Sequence, residues 1–216
     1  MRGKALDISL IASSTTLRAS EREIVRKLTE RGVSLTEIER RIGSILQAQL
    51  RGLGEEYRVV LVDCAPGISP FTTAAICMAD LVLVPTIPDA PSFLGLDAFL
   101  RSVHQEMTNK KAHIPPHVLI TRYAPATMMA WLQGKGKRGK TNHHREYLEK
   151  INELPKKGDP AFEVLKTKML ETPLMPHAMS LVDGKLGTEP TFAFKYPGKF
   201  GKDLSTLADE IMEVLI

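Results

Sequence analysis

Cysteine is scarce in this sequence, at two in 216 residues. Cys64 and Cys77 lack the spacing of a metal site or a disulfide framework, so they read as reduced thiols inside the core. Long apolar runs are missing as well. No stretch of about 18 apolar residues and no signal-peptide pattern occurs, which excludes a simple membrane-spanning helix and points to a cytoplasmic chain. There is neither an internal repeat nor a low-complexity tract, and the 14 prolines and 15 glycines are spread along the chain. That argues against a solenoid and against a flexible linker between domains. With 43% hydrophobic and 25% charged residues the composition is that of an ordinary globular protein, and one domain over residues 1–216 is the expectation.

What is present is concentrated in Tyr57 to Leu96, YRVVLVDCAPGISPFTTAAICMADLVLVPTIPDAPSFLGL. Val59, Val60, Leu61 and Val62 form a continuous β-branched and apolar run, the pattern of a parallel strand covered on both faces. The run delivers Asp63 to the carboxyl end of that strand, followed by Pro66 and Gly67. A carboxylate in that place suits the water shell of a magnesium ion, and equally suits capping the next turn.

Net charge is +4 with a pI near 9.0, and much of the excess lies between Gly134 and Arg145, in GKGKRGKTNHHR. Lys135, Lys137, Arg138, Lys140 and Arg145, interleaved with three glycines, suit either a solvated basic loop or contacts to a phosphate backbone. Residues Gly134 to Thr141 also satisfy the pattern G-x-x-x-x-G-K-[ST]. The preceding APATMMAWLQ, however, holds no β-branched strand to deliver a phosphate loop, and the extra cations would repel one another. The adjacent His143 and His144 would point to different sides of a helix, which disfavours a metal site.

Elsewhere strand and helix alternate, predicting an α/β fold with a mainly parallel sheet flanked by helices. Leu6 to Ile11 reads as a short strand. Ser20 with Glu23, and Ser34 with Glu37, predict helices beginning near residues 21 and 35 and separated by Gly32. The second helix is expected to bury Leu35, Ile38, Ile42, Ile45, Leu46, Leu50 and Leu53. A helix over Pro70 to Met78, a strand over Leu81 to Pro85, a helix over Ser92 to Met107 and a strand over His117 to Thr121 follow. A helix from Asn142, a strand over Lys168 to Leu174 and an amphipathic helix over Lys202 to Ile216 complete the order. REIVRKLTERGVSLTEIERRIG also has the cadence of a helix-turn-helix, but SILQAQLRGLGEEY continues the apolar period of the second helix without a turn to a third.

Three blocks carry a family resemblance. LIASSTTLRASE resembles the strand and turn ahead of a linker helix. YRVVLVDCAPG resembles a Walker B strand with its Asp-x-x-Pro turn, and ADLVLVPTIPDAPSFLGLDAFL resembles the strand and helix that follow it. The chain is thereby similar to the ParA/MinD group of deviant P-loop ATPases, nearest to ParA-type partition ATPases. VLITRY and MPHAMSL resemble the two loops that flank the adenine in that group. The resemblance implies ATP and Mg2+ as ligands, with Asp63 holding a magnesium-bound water. Pro66 and Gly67 would form the γ-phosphate switch turn, and Thr121, Arg122, Pro176 and His177 would lie near the base. It further implies a homodimer that coats DNA non-specifically, with no membrane attachment and with a ParB-type partner protein stimulating slow hydrolysis.

The sequence departs from that pattern in one respect. Nothing like the KGGxGKT phosphate loop precedes Asp63, and the opening MRGKA is too short to hold it. The expectation is an N-terminally truncated partition ATPase, weak or inactive in hydrolysis. The alternative is a non-catalytic DNA-binding or partner-binding module. In the resembled fold the phosphate-loop strand lies between the Asp63 strand and the Leu81 to Pro85 strand. Those two strands are therefore expected either to close up or to leave a gap.

Overall fold

A computed structural model describes residues 9, 11, 16–64, 67, 69–104, 115–124, 143–155, 161–172 and 196–215. The expected strand at Leu6 to Ile11 lies almost wholly outside them; Ile11 is exposed. The chain divides into two units, Met1–Ala79 and Asp80–Ile216, each taken by itself below. No helix among the described residues is long and apolar enough to cross a membrane.

The first unit is helical. Helix α1 spans Leu17–Glu30 and α2 spans Leu35–Glu56. The chain leaves α1 through Gly32, whose φ of +75° is the left-handed conformation that glycine adopts without strain. The Val33 amide donates to the Leu28 carbonyl and the Gly32 amide to the Thr29 carbonyl, a Schellman ending that satisfies two otherwise unpaired carbonyls. Ser34 then caps α2, its Oγ accepting from the Glu37 amide at 3.3 Å. The Glu37 carboxylate does not complete a capping box. It bridges Arg40 and Arg41, each at 2.7 Å. Ser20 is not a cap at all: its amide already donates to the Thr16 carbonyl, so α1 begins four residues earlier than expected.

Helix α3, Pro70–Met78, is capped by Ser69, which accepts from the Thr72 amide at 3.2 Å, and Pro70 sits in the first turn, where a missing N–H costs nothing. Ile38, Ile42 and Ala74 form the core of this unit, with Val25, Leu28, Val33, Leu46 and Phe71 against it. Residues 38, 42 and 46 share one stripe at a spacing of four; Leu35 and Ile45 are exposed, correcting the broader buried face expected for α2. α2 runs 22 residues without a turn, as its apolar period requires, so the helix-turn-helix cadence does not continue by a turn into a third helix within that stretch.

Residues Tyr57 to Cys64 depart most from expectation. Val59 to Val62 belong to no strand, and Leu61 is 88% exposed. A parallel strand exists only through a ladder, and no described strand lies in one with this segment, so its β-branched pattern has nothing to act on. Cys64 and Cys77 are exposed rather than buried, and neither is in a disulfide.

The second unit is an α/β layer structure, a parallel sheet flanked by helices. Strands β1 (Leu83–Thr86), β2 (His117–Tyr123) and β3 (Glu163–Leu170) form a parallel sheet in the order β1-β2-β3. Helix α4 (Ala90–Ala98) continues as a π-helical turn, Phe99–His104, in place of the uninterrupted helix expected to Met107. Helices α5 (His143–Glu153) and α6 (Gly198–Leu215) follow β2 and β3. The sheet's period of two sorts the core onto two faces. Val118 and Ile120 pack with Leu96, Leu100, Ile151 and Phe162 on the α4 and α5 side. Leu119, Leu165 and Met169 pack with Phe200, Leu204, Leu207 and Ile211 on the α6 side.

β3 begins five residues earlier than its expected start at Lys168, because it follows the alternation in EVLKTKML rather than the later apolar residues. It also carries a bulge. Val118 aligns with Val164 and Ile120 with Lys168, so β3 spends four residues where β2 spends two. The extra residues are stabilised from α6. Glu210 accepts from the Lys166 amide at 2.6 Å and from the Thr167 amide at 2.9 Å. Burial would raise the pKa of Glu210, but the hydrogen bonds from Thr167 and from these amides outweigh it and hold the carboxyl below its usual range. Glu210→Ala is therefore expected to destabilise the second unit by ~1–2 kcal/mol. Because the folded pKa is the lower one, this contribution is full above the ordinary glutamate value and fades as pH falls through it. Denaturant unfolding of wild type and variant at neutral and acidic pH checks this: the two curves should converge in acid.

Candidate functional site

In parallel α/β sheets ligands bind beyond the carboxyl ends of the strands, and the second unit gathers its polar groups there. β1 ends at the buried Thr86. The next residues bend sharply, the Asp89 amide donating back to the Ile87 carbonyl at 2.8 Å, and Asp89 caps α4 by accepting from the Ser92 amide at 2.9 Å. That backbone hydrogen bond is the main reason its carboxyl is held below the usual range, with smaller contributions from the charges of His144 and Arg122. A carboxylate on these amides pre-empts the place a phosphate would take at the helix N-terminus. The face is suited to hydrogen-bond donors and to a polar, uncharged group rather than to a polyphosphate.

β2 ends in a second bulge. Ile120 aligns with Lys168 and Tyr123 with Leu170, so here β2 holds the extra residue. The added residue is accommodated at Arg122, the one non-glycine residue with positive φ among those described, at +50°. That conformation costs a side-chain-bearing residue roughly 1–2 kcal/mol. It is supported on both sides: Thr121 Oγ1 donates to the Thr86 carbonyl at 3.4 Å, and the Arg122 guanidinium pairs with Glu171 at 2.9 Å. The Glu171 amide donates to the Tyr123 carbonyl at 3.1 Å, and the buried Ala124 donates its amide to His144 Nδ1 at 3.2 Å. Phe93 on α4 and Tyr147 on α5 stack with centroids 5.8 Å apart, fixing the helix that carries His144.

Of the residues expected near a nucleotide base, Thr121 and Arg122 are thus brought together, with Asp89 and His144 beside them. His144 entered the sequence reading only as half of an unlikely metal pair. The signal that it serves as an acceptor is its place at the start of the helix after β2, which is legible only once the fold is known. Asp63 and Gly67 belong to the first unit. Gly67 has φ +106°, a conformation that glycine alone adopts readily. Asp63 is exposed on a segment outside any ladder, and it raises the pKa of the neighbouring Cys64 thiol, adding to the larger effect of partial burial. No group of three or more His, Cys, Asp or Glu residues among those described could hold a metal ion. The described residues do not assemble a magnesium site around Asp63. Arg145 pairs with Glu149 one turn along α5 and is exposed. Pro66, Pro176, His177, Lys135, Lys137, Arg138 and Lys140 lie outside the described residues.

A family profile described as an AAA domain matches residues 2–115, more than half of the chain. The chain belongs to this AAA domain family of P-loop ATPases. The match covers the Asp63 segment, Gly67, β1 and α4; the β2 exit, with Thr121 and Arg122, lies beyond it. AAA domains of this kind generally bind nucleotide with Mg2+. No curated protein matches the chain.

The strain at Arg122 makes the bulge testable in this AAA-domain chain. Arg122→Gly is expected to hold stability within about 1 kcal/mol of wild type, because relief of the backbone offsets the lost pair with Glu171. Arg122→Val, β-branched at positive φ, is expected to destabilise by ~1–3 kcal/mol. Chemical denaturation of both variants checks the order; a valine variant as stable as the glycine variant would contradict the left-handed conformation.

Proposed function

We propose that this AAA-domain chain is a partition protein of the ParA ATPase type. The observation that carries the reading is that the matched region contains the Asp63 block and the following strand and helix, the same blocks that resemble ParA proteins. On this reading the β2 exit meets the nucleoside end of ATP. Arg122 supplies hydrogen-bond donors, Thr121 supplies an acceptor because its hydroxyl hydrogen goes to Thr86, and the bulge fixes their position. The phosphates find no cradle at α4, whose first turn is already capped by Asp89. ATP with Mg2+ would supply the binding energy for a homodimer, Lys135, Lys137, Arg138, Lys140 and Arg145 would contact DNA phosphates without reading sequence, and a ParB-type protein would be the partner.

A second reading is favoured by one observation: Asp63 sits on an exposed segment that belongs to no strand. In it the chain is a non-catalytic DNA-binding or partner-binding module. Phosphoryl transfer needs phosphates held in line and their charge neutralised, and neither requirement is met by the residues described.

Calorimetric titration with Mg-ATP and fluorescence titration with DNA at several salt concentrations separate these readings. The 216-residue chain is expected to bind ATP weakly, with Kd near the millimolar range of about −4 kcal/mol, and to bind DNA with an affinity that falls steeply as salt rises. Lys140→Ala should weaken DNA binding, lower the salt slope by about one and leave ATP binding unchanged. No DNA binding at low salt would overturn the first reading and leave only the partner-binding form of the second, and loss of ATP binding in the Lys140 variant would move the phosphate loop to Gly134–Thr141.

A further inference from the structure

Ala124 and His144 stand on either side of residues 125–142, and their side-chain to backbone hydrogen bond fastens the end of β2 to the first turn of α5. The Ala124 amide is a buried donor that needs an acceptor. His144 Nδ1 serves as one only while it carries no proton, so the neutral ring bears its hydrogen on Nε2. The imidazolium has no lone pair left, and its Nδ1–H would face the Ala124 N–H directly. Two charged groups lie near Asp89 at the N-terminus of α4: its carboxylate interacts with a positive His144 and with Arg122, the latter paired with Glu171. On the helix of His144 the neighbours are His143 and Arg145, the latter paired with Glu149.

We propose that His144 is a proton-sensitive positioning residue for the β2 exit: neutral, it anchors the Ala124 amide and with it the bulge at Thr121 and Arg122; protonated, it releases that amide and turns toward Asp89. Release removes one of the ties on the segment that carries the Arg122 turn, while the bonds of Thr121 to Thr86 and of Arg122 and Tyr123 to Glu171 remain. The hydrogen bond stands on geometry alone, whereas its consequence for a ligand rests on the reading of this face as the nucleoside side of a nucleotide site.

The test is amide exchange of Ala124 by NMR in the full 216-residue chain without nucleotide, corrected for intrinsic rates. In wild type the protection of Ala124 should fall by about five- to tenfold between about pH 8 and about pH 5, the loss of one hydrogen bond. His144→Gln, whose amide oxygen accepts but does not titrate, should keep protection at both pH values. His144→Leu should lose it at both. The Arg122 amide resonance should move with the same midpoint in wild type and stay fixed in the glutamine variant, a response that plain loss of packing would not give. Protection independent of pH in wild type, or a pH response retained by the glutamine variant, would overturn the proposal, and these two proteins decide it even if the leucine variant does not fold. Because nucleotide is absent, failure of the nucleotide reading leaves the result intact. Conversely, normal proton sensitivity with no ATP effect at Arg122 would contradict that reading alone.

Discussion

Strand β2 is paired on both sides, and the second unit depends on that double pairing. Its ladder to β1 holds a regular register over four residues, and its ladder to β3 slips twice. Val118 and Ile120 are fully buried, and the residue between them, Leu119, faces the opposite layer, so a single strand joins the cores under α4 and α5 to the core under α6. The amide and carbonyl groups of such a strand have no recourse to water, so each slip of register leaves groups that other elements must satisfy. Glu210 does this for the β3 bulge; Thr121, Glu171 and His144 secure the β2 bulge and its exit. Bulges in this fold therefore come with named partners, and one of them shapes the face on which a ligand would sit.

Where the sequence carried a local rule with a local partner, it was readable. Ser34 has the amide that donates to it within three residues, and Gly32 marks a helix end whose bonds close within six, so capping chemistry predicted this turn. The alternation of strand and helix gave the layers, and the apolar stripe of α6 placed Leu204, Leu207 and Ile211 against the sheet. Ser20 shows the limit: a capping box in letters says nothing about whether the helix has already begun upstream. Val59 to Val62 shows a deeper one. β-branched apolar residues state a preference for a covered, paired strand, but pairing is a property of two segments, and the pattern of one cannot report whether its neighbour is in place. The positive φ of Arg122 and the acceptor role of His144 were invisible for the same reason, since both arise from register and crossing geometry rather than from neighbours in sequence.

The functional account follows from charge placement. A nucleotide has a polyphosphate end that wants amides and cations and a nucleoside end that wants shape and a few hydrogen bonds. Asp89, by accepting from the Ser92 amide at the start of α4, places a negative charge where a polyphosphate would otherwise meet that helix. Membership of an AAA domain family supplies the expectation of a nucleotide. Local electrostatics decides which part of it this face can meet.

The most direct measurement of that claim is a titration of the isotope-labelled chain with Mg-ATP, following every assigned amide by NMR, which registers even millimolar binding. The account predicts that shifts concentrate at Thr86 to Ala90 and at Thr121 to Ala124, and that adenosine without phosphates reproduces most of them. Shifts centred on the amino ends of the strands, at His117 and Glu163, or a response that vanishes when the phosphates are removed, would contradict it.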